Sequence, residues 1–573
     1  MFRNSSQLAS TPSKNQLLLN PLLVETGIVI LLALVAVVIN WKMIHDGING
    51  MIDMQWHITW LQHFSKQLAE GIGYPRWLAG TNFGYGSPTF IFYPPLVYYL
   101  GALLKFSGLT IEQTVIVLFY LALFLSGLTF YIYGRNHWGV IPSVIGALAY
   151  MTAPYMGFLI YWVASIPSMF AQALIPLGWW LTDKALLQPK WRVGLALFWT
   201  VLALTHLPSL LLCAIAWLGY TLFFFLNRSW KDVVTTLLSA GIGLGIASFF
   251  LIPAILEQPL INIDEMQKVG GGFRVTNIGG MPLFPLSIDR GAPYVFLLQS
   301  LAIIALTIIA LICCRKNAAI IHDTWRWLVF VLLLAFLMSS WSLPIWEASP
   351  TLQKVQSPLR LLQLFSFGGA VLYGVVTSGI LKLRLQIRFV ISLIIFVIFI
   401  SNFAYSYKLA RKFPTFNKPG RANIEHLEPV RKALDDPYTD KLIDVPQYIP
   451  LLPNGNPAPD PVIGQPQLSI IKGQASIEIN HWGSYKRMFN VTAEELSTIR
   501  VRTYYYPAWH LYVNQKSRPI DISEDGTMKL TLEPGSYAVE LRYQWTRAFT
   551  LGVALSVLSL ITLSLFGIKL QKF

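Results

Sequence analysis

Runs of about 20 apolar residues recur along the whole chain, and this one feature decides most of what it can fold into. A helix of that length crosses a hydrocarbon core of roughly 30 Å. Inside lipid every backbone N–H and C=O must be satisfied within the segment, which makes helices the natural spanning elements. The composition agrees: of 573 residues, 54% are hydrophobic and 12% charged, with a mean hydropathy of +0.53. The expected fold is a polytopic α-helical membrane protein with about 12–13 membrane segments. The first run, 22–41, follows a polar N-terminus carrying Arg3 and Lys14 and shows no small-residue cleavage site. It reads as a retained anchor rather than a signal peptide.

The net charge of +15 could suggest nucleic acid, but its distribution has a simpler cause. Lysine and arginine bunch in short loops between apolar runs: Arg135, 184–192, 228–231, Arg315 with Lys316, 382–388, and Lys569 with Lys572. This is the positive-inside pattern, which places those loops in the cytoplasm and implies no nucleic-acid partner. Cys213, Cys313 and Cys314 fall within or at the end of apolar runs, so neither disulfides nor thiolate metal sites are expected.

With the N-terminus also inside, parity puts 42–90, the vicinities of Ser165 and His206, 256–293, 341–360 and 408–547 on the outer side. Residues 193–227, flanked by basic clusters, must form a hairpin whose outer turn is Thr205-His206-Leu207-Pro208. One stretch leaves two readings. Between 90 and Arg135 parity allows one net crossing, yet 92–109 and 115–133 are both apolar. Either 92–109 is re-entrant or interfacial, or both runs cross and Arg135 lies outside. The resulting layout is a membrane module over 1–407 with its outer first loop at 42–91. An extracytoplasmic β-rich domain over 408–547 and a final transmembrane helix with cytoplasmic tail over 548–573 complete it. The setting is the plasma (inner) membrane, with the working face outside.

The β-rich segment announces itself by alternation in Ala475-Ser476-Ile477-Glu478-Ile479-Asn480 and Met528-Lys529-Leu530-Thr531-Leu532, with turns at Asp525-Gly526 and Pro534-Gly535. A small β-sandwich is the expected form. Tyr504-Tyr505-Tyr506-Pro507-Ala508-Trp509 could stack on sugar or belong to the core of that domain. In the first outer loop, Asp53-Met54-Gln55-Trp56-His57 leads to Leu61, Phe64 and Leu68, the spacing of an amphipathic helix lying along a membrane surface. Two further outer regions are the one from Glu257, with Glu265 and Gly270-Gly271-Gly272, and the one from Trp346 to Arg360.

Asp53 stands at the start of that helix, where its carboxylate could deprotonate a hydroxyl or simply cap the backbone amides. His57, four residues on, shares its face and could join it on a substrate or a divalent metal, though the sequence supplies no further ligands. Arg360 opens a membrane helix after Ser357-Pro358. There its guanidinium could meet a phosphate or snorkel to lipid headgroups. Arg76 carries the same two readings. His206 and Glu257, polar groups at the ends of apolar runs, could bind substrate or terminate helices.

Asp53-x3-His57, Tyr74-Pro75-Arg76-Trp77, Gly84-Tyr85-Gly86-Ser87-Pro88 and Phe92-Tyr93-Pro94-Pro95-Leu96 resemble the N-terminal signature of bacterial membrane proteins described as 6-pyruvoyl-tetrahydropterin-synthase-related. Leu204-Thr205-His206, the stretch from Pro253 to Glu257, Gln356-Ser357-Pro358-Leu359-Arg360, Tyr448-Ile449-Pro450 and Tyr506-Pro507-Ala508-Trp509 extend the resemblance over nearly the whole chain. The description is a misnomer that implies no pterin chemistry. With the YfhO-like group, such proteins belong to the GT-C superfold of polyprenyl-phosphate-sugar-dependent glycosyltransferases. The resemblance implies that Asp53 is the catalytic base and that Arg360 meets the phosphate of the lipid carrier. His57, Arg76, His206 and Glu257 would then contact substrate. The implied partners are a polyprenyl-phosphate-sugar donor, membrane lipid and an extracytoplasmic glycan, lipid or polymer acceptor. One departure stands out. A polar Arg-Gly-x-x-x-Glu stretch is expected after an outer tyrosine, whereas this chain reads Tyr161-Trp162-Val163-Ala164-Ser165-Ile166-Pro167-Ser168. The uncharged Val163 and Ser168 leave room for a non-catalytic relative that binds, flips or scaffolds lipid-linked glycans. A membrane-anchored β-domain adhesin would leave the outer membrane-proximal motifs unexplained.

Overall fold

The computed structural model describes residues 20–48, 52–225, 229–268, 292–313, 315, 317–412 and 444–571. Arg3, Lys14, Arg228, Gly270-Gly271-Gly272, Cys314, Lys316 and Lys572 lie outside the described residues. In chain order the principal helices are α1 (Pro21–Asp46), α2 (Met54–Ala69), α3 (Leu96–Phe106), α4 (Ile111–Trp138), α5 (Val140–Met151) and α6 (Ile166–Leu187). They continue with α7 (Arg192–Ala203), α8 (Leu207–Phe225), α9 (Trp230–Ile246), α10 (Ser248–Leu256), α11 (Ala292–Cys313), α12 (Ala318–Met338), α13 (Leu362–Ile380), α14 (Leu385–Lys412) and α15 (Arg547–Gln571).

Among the described residues, 7 helices are long and apolar enough to cross a membrane, or up to 8 if the bent pair α9 and α10 is one span. The shortfall against about 12–13 expected segments has local causes. A bend of 73° separates α9 from α10. Helix α3 has 11 residues and α7 has 12, about 17–18 Å at 1.5 Å per residue and well short of the core.

Contacts at one end of the bundle decide the open question over 92–109. Arg135, near the end of α4, pairs with Glu25 in the first turns of α1 at 3.3 Å, and Tyr131 donates to the same carboxylate at 2.6 Å. Lys184 reaches Asn136 at 2.6 Å, His137 reaches Asp183 at 3.0 Å, and Tyr220 donates to Asp183 at 2.6 Å. Arg135, the 184–192 cluster and the end of α8 therefore share one end with the start of α1. At the opposite end, the Ile48 amide donates to Glu112 at the start of α4. Only one net crossing separates the two ends, so the short α3 does not cross; it packs against α2.

Local sequence sets these helix limits. A capping box of Thr110 and Gln113 starts α4, and Gly139 at φ 86 ends it. The two innermost spans are Val140–Val163 and Pro358–Ile380, 83% and 94% buried along their apolar windows. Their close approach uses Gly146, where an added Cβ would lie 3.2 Å from the Ala370 carbonyl oxygen of α13 and would also press on the Phe130 ring of α4. Helix α2 differs from expectation. Its His57, Ile58, Trp60, Leu61, Gln62, His63, Phe64 and Gln67 are all buried, so it is enclosed by α3 and the C-terminal region rather than lying on lipid.

Nine strands follow: β1 (Leu468–Lys472), β2 (Ala475–Trp482), β3 (Lys486–Ala493), β4 (Ser497–Tyr504), β5 (Trp509–Val513), β6 (Lys516–Arg518), β7 (Asp521–Ile522), β8 (Thr527–Leu532) and β9 (Gly535–Tyr543). They form two antiparallel sheets, ordered β1-β4-β8-β7 and β2-β3-β9-β5-β6. Inward residues of both sheets, among them Ile499, Val501 and Leu530 from one and Phe489, Val491 and Leu541 from the other, meet in one core. That is a sandwich. Tyr504, Tyr506, Ala508 and Trp509 are buried in it, which gives the Tyr-Tyr-Tyr-Pro-Ala-Trp run a core role. The first loop is part of the same core: Trp77 packs on Tyr506, Trp509 and Tyr543, and Tyr504 donates its amide to the Tyr85 carbonyl at 2.9 Å.

Candidate functional site

Asp53 immediately precedes α2, held by its backbone amide, which donates to the Val163 carbonyl at 3.0 Å. Its carboxyl makes no capping hydrogen bond, so the helix-capping role is not the one it plays. Burial pushes that carboxyl up to about 6, and the Arg360 charge holds back part of the rise. A carboxylate of that basicity still ionises at neutral pH and is a stronger base than a solvated one.

One turn further, His57 Nδ1 is hydrogen-bonded to the Tyr98 hydroxyl at 2.7 Å, while Nε2 is buried without a partner. Burial holds the imidazole down at about 3, so the ring is neutral. Trp60, on the next turn, packs against Tyr93 with ring centroids 4.6 Å apart. Tyr93 is itself within reach of both the Asp53 and the Arg360 charges.

Arg360 lies in a 3-10 turn, Pro358–Leu361, started by Ser357, whose hydroxyl accepts from the Leu359 amide. Its Nη1 is buried with no hydrogen-bond partner. A buried guanidinium nitrogen left unpaired costs free energy unless something absent supplies an acceptor. His206 joins from the α7–α8 turn, within electrostatic reach of Arg360 and His57. The structure thus brings Asp53, His57, Arg360 and His206 to one end of the bundle.

Arg76 and Glu257 belong elsewhere. Glu257 is buried and accepts from Tyr506 on one oxygen and from Thr546 on the other. Arg76 is buried over the Phe549 ring at 3.9 Å, with Nη2 3.4 Å from the Gln544 carbonyl oxygen. Both share neighbours in Tyr506 and Tyr543, forming a second polar cluster where the sandwich meets α15. Their contacts are those of a joint between units.

The departure at Val163 and Ser168 falls inside the first cluster. Leu159–Val163 forms a π-helical turn, a form frequent at functional sites, and ends at Ala164 with φ 58. This is the left-handed conformation that the glycine of the expected pattern would adopt without strain. Val163 supplies the carbonyl that holds Asp53, and Ser168 contacts His206 at 3.2 Å.

Sequence reasoning did not single out Asp444. It is buried and accepts from Trp60 Nε1 at 2.7 Å, Thr89 Oγ1 at 2.5 Å and the Val445 amide at 2.8 Å. Its own amide donates to Asn82 at 2.7 Å. One carboxylate therefore fixes Trp60 and the first loop together. A lone Asp in Leu442-Ile443-Asp444-Val445-Pro446 was the signal available. Among the described residues, no three His, Cys, Asp or Glu side chains are placed to hold a metal ion, so Asp53 and His57 have no third ligand there.

Residues 90–409 match the family described as "6-pyruvoyl-tetrahydropterin synthase related domain; membrane protein". The chain belongs to that family. Membership makes it a membrane protein and covers α3 to α14, including His206 and Arg360 but not Asp53. No curated protein matches the chain. Among solved structures it is similar to the Archaeoglobus fulgidus oligosaccharyltransferase in complex with Zn and sulfate, at 15% identity and TM-score 0.37, over 73% of this chain. It spans 57% of that enzyme's length. It is also similar to ArnT from Cupriavidus metallidurans bound to undecaprenyl phosphate, at 13% identity and TM-score 0.29, over 63% of this chain and 81% of that one.

Proposed function

We propose that the protein is a membrane glycosyltransferase that moves a sugar from a polyprenyl-phosphate-linked donor to an extracytoplasmic acceptor. The observation that carries this reading is the pairing of a basic, uncapped carboxyl at Asp53 with a buried guanidinium at Arg360 whose Nη1 lacks a partner. The first suits a base and the second suits an oxyanion.

In this mechanism Asp53 accepts the proton of the acceptor hydroxyl as its oxygen attacks the anomeric carbon from the face opposite the phosphate. The new carbon–oxygen bond forms as the anomeric carbon–phosphate oxygen bond breaks, and the bonding pair leaves with the polyprenyl phosphate. Arg360 stabilises the charge that grows there, so no strong acid is needed. Neutral His57 offers its unpartnered Nε2 to a substrate hydroxyl. The site faces the extracytoplasmic side of the plasma membrane, at the end of the bundle opposite the basic clusters.

Purified protein reconstituted with a prenyl-phosphate-linked labelled sugar and an envelope-glycan acceptor fraction should transfer label, and Asp53→Ala should abolish transfer without loss of folded protein. Transfer by Asp53→Ala at the normal rate would remove Asp53 from the mechanism. The uncharged Val163 and Ser168 favour a second reading, a protein that binds or flips lipid-linked glycans. Lipid binding in wild type with no turnover for any acceptor would select it.

A further inference from the structure

Tyr155 takes no part in the mechanism proposed above, yet it is buried beside one of its members. It stands on the short helix Pro154–Phe158 and is 5% exposed. Its ring stacks on Phe158 with centroids 6.1 Å apart, while among the described residues no group hydrogen-bonds its hydroxyl. The short helix packs against α13 and α14, and at Gly157 an added Cβ would lie 3.0 Å from the Ser406 Cβ of α14. It runs directly into the π-helical turn Leu159–Val163. One continuous run, 154–163, therefore carries Tyr155 near its start and, at its end, the Val163 carbonyl that holds Asp53.

The charged neighbour of Tyr155 is Arg360. Each lies within electrostatic reach of the other, and around the guanidinium the Tyr155 oxygen weighs more than Asp53 or Tyr93. Tyr93 senses both Asp53 and Arg360, whereas Tyr155 senses Arg360 alone. Tyr155 thus sits beside the guanidinium but farther from the carboxyl, on the flank away from Asp53. A guanidinium only donates and a phenol has one proton to give, so neither can take up the other's protons. Arg360 Nη1 is enclosed without a partner, while the residue as a whole is half-buried and so within reach of a ligand. Two donors without an acceptor mark the place of a group rich in acceptor oxygens, and next to a cation that group is an oxyanion. On this flank a phosphate keeps its distance from the Asp53 carboxylate. Base and leaving group then stand on opposite sides of the sugar, as displacement from the opposite face requires.

We infer that the Tyr155 hydroxyl is a second donor to the phosphate of the lipid carrier, paired with Arg360 on the flank away from Asp53. This deepens the glycosyltransferase reading above and rests on it. As the bonding pair moves onto the phosphate oxygen, Tyr155 keeps its proton and its hydrogen bond strengthens with the growing charge.

The test is equilibrium binding to the full-length protein in detergent, read by tryptophan fluorescence, with farnesyl phosphate, farnesol and inorganic phosphate as probes. Tyr155→Phe removes one oxygen and keeps the ring on Phe158. It should bind farnesyl phosphate at least about tenfold more weakly than wild type, the scale of one hydrogen bond to a charged group, with farnesol binding unchanged. Inorganic phosphate should displace farnesyl phosphate only in large excess; equal competition would make this a free-phosphate site and overturn the lipid assignment. If wild type does not bind farnesyl phosphate, the glycosyltransferase reading fails and this inference with it. If wild type binds it and Tyr155→Phe binds it equally, or loses farnesol to the same degree, the Tyr155 inference alone is overturned. Should Tyr155→Phe not fold, a structure of the wild-type protein with farnesyl phosphate decides. A phosphate oxygen within about 3 Å of the Tyr155 hydroxyl supports the inference, and a phosphate held by Arg360 out of that reach overturns it.

Discussion

Replacing Asp53 by Asn separates a buried reactive carboxyl from a helix cap. In the native protein burial raises this group from 3.8 to about 6. At about 1.4 kcal/mol per tenfold change in proton affinity, holding it ionised costs the folded state about 3 kcal/mol. The sign follows from the raised value. The cost is absent below about pH 4, where folded and unfolded chains are both protonated, grows as pH rises, and is complete above about pH 6. Asn keeps the shape and removes the charge. Asp53→Asn should therefore unfold at a temperature several degrees above wild type at pH 7.5, with the gain gone at pH 4, while transfer is lost. Thermal unfolding of the detergent-solubilised protein across that pH range, followed by tryptophan fluorescence, measures it. A capping role would leave Asn equal to Asp at every pH, since both cap well. Equal stability at pH 7.5 and pH 4, or a less stable Asn variant at pH 7.5, would refute the buried-carboxyl reasoning.

Trp60→Phe removes the indole N–H that donates to buried Asp444 and should lower stability by about 2 kcal/mol, the scale of a hydrogen bond to a charged group, seen as a fall in unfolding temperature. Glu257→Gln puts an N–H₂ against one of the two hydroxyls that now donate to the carboxylate. A loss of about 1–2 kcal/mol should appear as faster proteolysis of the β-sandwich, with transfer by the folded fraction retained. Gly243→Ala would place a Cβ 2.1 Å from the Ala196 carbonyl oxygen between α9 and α7. Forcing these backbones apart should cost about 1–3 kcal/mol, measurable as lower yield of monodisperse protein and a lower unfolding temperature.

The membrane character and the sandwich were legible because both rest on periodicity. Apolar runs and the alternation over 475–480 and 528–532 need no knowledge of distant contacts. Charge parity also framed the question over 92–109, but only the pairing of Glu25 with Arg135 could answer it. Helix α2 was misread as lying on lipid because its apolar face looks the same whether lipid or protein covers it. Arg76 and Glu257 illustrate a related limit. A charged side chain in an outer loop or at the end of an apolar run looks alike in a site and in a joint, and what distinguishes Glu257 is two hydroxyls hundreds of residues away. Asp444 went unnoticed for the same reason: its partners Trp60, Thr89 and Asn82 are remote in sequence.

The most direct measurement is single-turnover transfer from a bound prenyl-phosphate-linked sugar between pH 5 and pH 8, in wild type and in Asp53→Ala. Wild type should lose about tenfold in rate per pH unit below an apparent pKa of about 6, and Asp53→Ala should bind the lipid without turning it over. A wild-type rate that is flat across this range, or turnover by Asp53→Ala at the wild-type rate, would contradict Asp53 as the base.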